Sequence, residues 1–508
     1  MTIDIVEERG GQPIPCRIEL RDSRGKAQKT RGALNHGPYS VVDGLLVFRG
    51  RAGEYEFDVF HGPEFAKSHG GFTLDRSGDG TDVVRLPRYA DMASEGWYAG
   101  DLLARVPADV AAAWLAAEGL ELASAVSDDV RVVRDAATGD AATGDTAAGD
   151  AEQKVGKPTD NPAARPRKPA AIGSGKQLTL LENVGGGYYD DRPESGLILH
   201  RWQPPAAVPE TLPSSRLLAM AKRDASTHAE IGRLWARDTP IWLASGLIDS
   251  IQVLSEHVTR DGRSGISVNT AVHPEPSLFK GPRGPGRLVE NLYWQVLETG
   301  LRIPPSGGSG VGRSSSPLGY NRVYVHPSTS TRPSMDGWWQ GLREGRCFVT
   351  NGPLLRAQVN GQYSGYTFRQ FSGEKLMLDV SLTLTVADPV EYVDVIFNGE
   401  AVYHARLDEY AKQGGKIPAL EITESGWIVI RVVTQREETY RLATTAPYYV
   451  EYDGQPRITR AACQLFSDWL ERSIVEHRQS DPTAAQANSP YTEAARAFWR
   501  RRLELASD

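Results

Sequence analysis

The chain is 508 residues long, enough for about three domains, with the 40% hydrophobic and 24% charged residues of an ordinary globular protein. A net charge of −7 leaves no basic footprint, which excludes nucleic acid and anionic lipid as expected partners. No window approaches the ~18 apolar residues of a membrane span, and no basic segment followed by an apolar run opens the chain, so the expectation is a cytoplasmic protein without a membrane span.

Residues 1–92 read as an all-β domain. Cys16, Ile18 and Leu20 alternate with Arg17, Glu19 and Arg21 ahead of a turn, and the alternation returns at Tyr55, Phe57 and Val59. Residues 52–64 resemble the closing hairpin of a carboxypeptidase-regulatory-type sandwich, and His61 and His69 within this region are expected to be structural or exposed. The three cysteines, Cys16, Cys347 and Cys463, are too widely spaced for a metal knuckle or a paired framework and are expected to be reduced. From residue 96 a strand, a helix (109–118) and a second apolar strand (120–126) make a βαβ opening, and parallel strands of this kind present function at their C-terminal ends. The second strand ends in Ser127-Asp128-Asp129, a carboxylate pair suited either to a cation or to an exposed turn. Residues 135–176 are five-residue repeats of Ala, Thr, Gly and Asp followed by a Pro/Lys/Arg run. They hold too little apolar surface to fold and are expected to be a disordered insertion.

Strands are expected at 177–184 and 196–202 and a helix at 214–223. If 227–231 is extended, Thr227, Ala229 and Ile231 share one face while His228 and Glu230 project side by side from the other. A helical turn at 240–245 and a strand at 248–254 place His257 just past a strand end. His228, Glu230 and His257 are thus a candidate metal set, the alternative being hydrogen-bonded core histidines. A helix over 287–299, apolar at Leu288, Val289, Leu292, Tyr293, Val296 and Leu297, stops at Gly300 and delivers Leu301 and Ile303 into a core. Two prolines and the small residues Ser306, Gly307, Gly308, Ser309 and Gly310 follow, a composition that lets backbone approach a ligand or else makes a flexible loop. With Asn321, on the strand expected at 320–325, these residues form a candidate pocket. A helix and a buried strand fill 335–350, with Trp338 and Trp339 as packing residues. Residues 351–455 read as a second β-sandwich with a hairpin turn at Asn398-Gly399, and residues 456–508 as helices docked on the body.

Gly100-Asp101-Leu102 on the first strand, the glycine-rich segment at 300–326 and the Trp338-Trp339 segment at 335–356 occur in an order that resembles the CehA/McbA family, the carbaryl-hydrolase type of PHP-domain metallohydrolases. The resemblance implies a multidomain α/β plus all-β protein. Its centre would be a PHP-like distorted (β/α)7 barrel over 93–350, flanked by N- and C-terminal β-sandwiches and followed by C-terminal helices. It also implies a divalent metal (zinc, manganese or iron) activating water against an ester, carbamate or phosphoester. The metal motifs depart from the family's: Leu103 and Arg105 stand where it has histidines, Asp129 replaces another, and 308–312 lacks its Asp and His. The remaining candidate ligands are Asp101, Asp128, Asp129, His228, Glu230 and His257, with Arg105 or Arg302 to steady a developing oxyanion. Two readings follow: a remodelled one-metal hydrolase, or a pseudoenzyme that binds an anionic or sugar-like small molecule or a protein partner.

Overall fold

The computed structural model describes residues 1–75, 80–127, 184–192, 195–202, 204, 212–327 and 334–507; Asp128, Asp129, the repeats at 135–176 and all but the last residue of the strand expected at 177–184 lie outside them. The chain is mixed α/β. It opens with β1 (Thr2–Glu7), β2 (Pro15–Asp22), β3 (Leu34–His36), β4 (Tyr39–Asp43), β5 (Leu45–Val47), β6 (Gly53–Phe60), β7 (Ser68–Leu74) and β8 (Thr81–Leu86). These form two sheets, in the orders β5-β1-β8 and β3-β4-β2-β6-β7. The alternation read in the sequence has a physical cause: Cys16, Ile18, Leu20, Phe57 and Val59 share one core with Ile3, Ile5 and Leu86 of the smaller sheet.

The next elements are β9 (Tyr98–Ala104), α1 (Ala108–Ala117), β10 (Leu122–Ser127), β11 (Val184–Tyr189), β12 (Leu197–His200), α2 (Ser214–Ala221), β13 (His228–Ile231), α3 (Thr239–Ser245), β14 (Ser250–Leu254), α4 (Gly284–Glu298), β15 (Pro305–Gly307), β16 (Arg322–Val325), α5 (Met335–Arg343) and β17 (Cys347–Thr350). Their strands pair in the order β15-β14-β13-β12-β11-β10-β9-β16-β17. β9, β10 and β11 are mutually parallel, as are β13, β14 and β15, and β12 runs antiparallel to both of its neighbours. Six strands therefore point their C-terminal ends to one edge. The ladder ends at β15, but the chain beyond it bonds to both flanks: the Gly308 N–H donates to the Leu254 carbonyl at 2.9 Å, Gly310 to that of Leu103 at 2.8 Å, and Arg105 to that of Val311 at 2.9 Å.

Helix α4 buries its apolar stripe and ends where expected. Gly300 adopts φ 76° and donates its N–H to the Leu297 carbonyl at 2.9 Å, a left-handed cap that glycine takes without strain. The C-terminal strands β18 (Leu354–Val359), β19 (Thr367–Gln370), β20 (Leu376–Leu378), β21 (Val380–Thr385), β22 (Val390–Phe397), β23 (Glu400–Ala405), β24 (Leu420–Ile422), β25 (Gly426–Thr434), β26 (Leu442–Thr445) and β27 (Tyr448–Tyr452) hold one short helix, α6 (Leu407–Lys412). β17 pairs with β26, so the central ladder runs on into β26-β25-β22-β23, and the boundary read at residue 350 falls inside a continuous sheet. Asn398 and Gly399, at φ 53° and 84°, make the expected tight turn between β22 and β23. The last helices, α7 (Arg460–Ser480) and α8 (Pro482–Leu505), dock on the body: the Trp499 indole donates to the Pro240 carbonyl at 3.0 Å and stacks on Phe466. Among the described residues no helix is long and apolar enough to cross a membrane, and all three cysteines are buried and free.

Candidate functional site

Charged residues recur just past the strand ends. Arg105 follows β9, Asp191 lies two residues beyond β11, Arg233 two beyond β13 and Glu256 two beyond β14, so the parallel edge gathers them. Arg105 Nη2 lies 2.9 Å from Asp191 Oδ1 and 3.6 Å from Glu256 Oε1, and Arg233 Nη2 lies 2.7 and 3.3 Å from the same two atoms. Arg313 closes the group by pairing with Asp191 Oδ2, its side chain 55% exposed at the outer rim. Beneath, the Tyr189 hydroxyl donates to Glu256 Oε1 at 3.2 Å while the Arg105 guanidinium covers the Tyr189 ring at 4.0 Å. Burial, and then the Glu256 charge, push the phenol up, so it stays protonated. Three guanidinium groups thus face two carboxylates, a surplus of one positive charge. Arg105 Nε, Arg233 Nε and Glu256 Oε2 are buried without a hydrogen-bond partner.

A second polar group lies deeper, across β10 to β15. Glu230 Oε1 accepts from Ser250 Oγ at 2.7 Å and from Ser306 Oγ, and its Oε2 accepts from Gln252 Nε2 at 2.7 Å and meets His200 Nε2 at 3.0 Å. His200 Nδ1 meets Ser124 Oγ at 2.7 Å, and His228 Nε2 meets Ser250 Oγ at 2.7 Å. His200, His228, Glu230, Ser250, Gln252 and Ser306 are all 0% exposed. Trp339 roofs both imidazoles, at 5.3 and 4.7 Å between ring centres. Burial, and then His200, hold the His228 pKa well below its ordinary value, so the ring is neutral, and its Nδ1 has no partner.

The structure brings His228 and Glu230 together as the alternation required and sets His257 apart. No hydrogen bond joins His257 to that network; it packs edge-on against Trp235, leaves both ring nitrogens without a partner, and is pushed down to about 3 by burial. Asp101 is an anchor for backbone. Its Oδ1 accepts from the N–H groups of Leu103 and Ser309 at 3.0 and 2.9 Å and its Oδ2 from that of Gly319 at 2.7 Å, while burial raises its pKa against these bonds. Arg302 precedes β15, at the opposite end from the Arg105 cluster, where it pairs with Glu451, bonds Thr367 Oγ1 at 3.0 Å and covers the Tyr449 ring. It therefore stands away from the strand-end site that the oxyanion role requires.

The segment 306–309 and Asn321, read as a pocket, is packed interior. A Cβ on Gly308 would lie 2.4 Å from Leu103 Cβ and 2.6 Å from the Leu103 nitrogen, so the glycine admits a neighbouring strand rather than a ligand. Asn321 Nδ2 donates to the carbonyls of Ser255 and Val258 at 2.9 and 3.0 Å, and the Asn321 N–H to Ser309 Oγ at 3.0 Å.

Sequence reading did not find Tyr189, Asp191, His200, Arg233, Glu256 or Arg313. The signal available for three of them was a charged residue two positions past a strand end; His200 gave none, because only its pairing with His228 across β12 and β13 makes it part of a group. Among the described residues no three His, Cys, Asp or Glu side chains converge to hold a metal. At the strand ends the chemistry disfavours a cation: Leu103 packs with Val126, Tyr189 and Ile198, and both carboxylates already face guanidinium groups. No family model, no curated protein and no solved structure matches the chain.

Proposed function

We propose that this chain is a catalytically inactive, PHP-like barrel protein of the CehA/McbA type whose strand-end arginines bind a small anionic ligand. The parallel strands β9 to β11 and β13 to β15, with residues 308–311 bonded to the ends of both β14 and β9, support the barrel-like reading. The observation that carries the ligand reading is Arg105: where the resemblance calls for a metal-binding imidazole, a guanidinium joins Arg233 and Arg313 around Asp191. Guanidinium groups stay protonated at any working pH and present donors in a rigid fork, which suits carboxylate or phosphate and supplies no general base. The buried Nε atoms of Arg105 and Arg233 are donors still to be used.

Titration calorimetry with inorganic phosphate, pyrophosphate and citrate tests this. Wild-type protein binds at least one of them, and Arg105→Ala or Arg233→Ala weakens that binding about tenfold or more, the effect of losing one charge-assisted hydrogen bond of about 1.5–3 kcal/mol. Absence of binding, or binding indifferent to both substitutions, overturns the reading.

One observation favours the hydrolase alternative. His200 Nε2 lies 3.0 Å from Glu230 Oε2, and His228, which reaches Glu230 only through Ser250 Oγ, keeps its buried Nδ1 without a partner, although the three side chains do not converge on one point. Against it, Glu230 already receives four side-chain contacts. Stoichiometric zinc, manganese or iron in the purified chain, lost in a His200→Ala, His228→Ala double variant, would replace the pseudoenzyme reading with a metal-dependent hydrolase and direct ester and phosphoester screens.

A further inference from the structure

A cavity of about 390 Å³ opens between α4 and the C-terminal strands β22 and β25, away from the strand ends, within the size range of small-molecule sites. Four aromatic residues line it: Phe279, Trp294, Tyr392 and Tyr440. The residues contributed by α4 are Arg287, Glu290, Asn291 and Trp294, spaced i, i+3, i+4 and i+7 and hence on one face of the helix.

The charges at its base are already matched. Arg431 Nη1 lies 2.7 Å from Glu290 Oε2 and its Nη2 2.5 Å from Asp394 Oδ2, with its guanidinium over the Trp294 and Tyr392 rings at 5.3 and 5.5 Å. The Tyr440 hydroxyl donates to Glu290 Oε2 at 2.7 Å. At the rim Arg283 pairs with Glu391 at 2.8 Å. What remains unused is a mixed set. Glu290 is 3% exposed and its Oε1 is buried with no partner. Asn291 Oδ1 meets His273 Nε2 at 2.8 Å, which leaves the amide N–H₂ to donate. The Arg287 guanidinium is exposed and has no hydrogen bond or ion pair among the described residues.

An acceptor, an amide donor and a guanidinium donor beside aromatic side chains, with every charge but that of Arg287 already paired, match a ligand whose groups both donate and accept and whose ring has an apolar face. We propose that this cavity is a carbohydrate site that takes a neutral mono- or disaccharide: hydroxyl groups bridge Glu290 Oε1 and Asn291 Nδ2, the Arg287 guanidinium donates to a further hydroxyl oxygen, and the sugar's C–H face lies against the aromatic wall. The inference is independent of the strand-end anion site.

Saturation-transfer NMR on the full chain tests it with glucose, galactose, mannose, N-acetylglucosamine, maltose, cellobiose, lactose and glucuronate as probes. At least one neutral sugar receives saturation from the wild-type protein. Asn291→Leu and Arg287→Leu each weaken its binding at least tenfold at an unchanged melting temperature, and Arg105→Ala leaves it unaltered. The proposal is overturned if no neutral sugar responds, if only glucuronate does, if binding survives both α4 substitutions, or if it is lost with Arg105→Ala, which would place the sugar at the strand ends.

Discussion

Glu230 shows how a ligand set and a structural polar core come to look alike in sequence. Alternation puts His228 and Glu230 on one face, and the structure keeps that relation, but the face meets Ser250, Gln252, Ser306 and His200 from three other strands. Those partners are set by register, which a local pattern does not contain. Replacing Glu230 with Leu removes the acceptor for four buried groups, and a loss of about 3 kcal/mol or more in urea unfolding is expected, since each buried polar group left unsatisfied costs about 1–3 kcal/mol. A loss below about 1 kcal/mol would mean the network is dispensable to the fold and would favour a ligand-binding role. His257 predicts the opposite behaviour. With neither nitrogen in a well-formed hydrogen bond and only the Val253 backbone opposing the effect of burial, His257→Leu leaves stability at neutral pH unchanged or raised, because it removes two buried polar atoms whose desolvation is poorly offset.

At the scale of elements, composition told where backbone approaches closely and left open what approaches. The run 306–310 was legible as a close-contact segment, and Gly308 is indeed in close contact, with the main chain of Leu103 on β9. A single chain read in order cannot distinguish a ligand from a strand 200 residues away. Gly308→Ala forces the two segments apart and is expected to cost about 1–3 kcal/mol, the range for overpacking a tight interior. Because residues 308–311 also carry the bonds to Leu254 and Leu103, amide exchange at Gly310 and Arg105 should accelerate in the same variant. Protection at both amides equal to wild type would show that this crossing does not tie β14 to β9. Helix α4 was the element best read from sequence, since its stripe, its glycine stop and its burial all follow from a 3.6-residue period. The face that lines the cavity, Arg287, Glu290, Asn291 and Trp294, repeats with the same period, but charged and amide residues at that spacing read in sequence as a solvated face.

The whole molecule adds a pH dependence that no single element contains. Burial pushes His257 down to about 3 and His61 to about 4 from an ordinary 6.5. Below pH 6.5 the unfolded chain therefore takes up protons that the folded chain refuses, and the stability these groups contribute, complete above 6.5, is lost as pH falls toward 4 and 3. Glu121, whose Oε2 accepts the Ala99 N–H at 2.6 Å, is shifted the other way: burial and then the Glu64 charge raise it from 4.5 to about 8. It holds a proton in the fold that the unfolded chain gives up, so its contribution is complete below 4.5 and is lost as pH rises through 8. Each group changes stability by at most about 1.4 kcal/mol per pH unit within its window. Two substitutions separate these effects in urea unfolding across a pH series. His257→Leu gains on wild type as pH falls from 6.5, and Glu121→Gln gains on wild type as pH rises from 4.5 to 8. Difference curves of opposite slope are the expected result. If the Glu121→Gln curve runs parallel to wild type across that window, the Glu121 carboxyl is ionised in the fold, and the Ala99 N–H donates to a carboxylate rather than to a protonated acid.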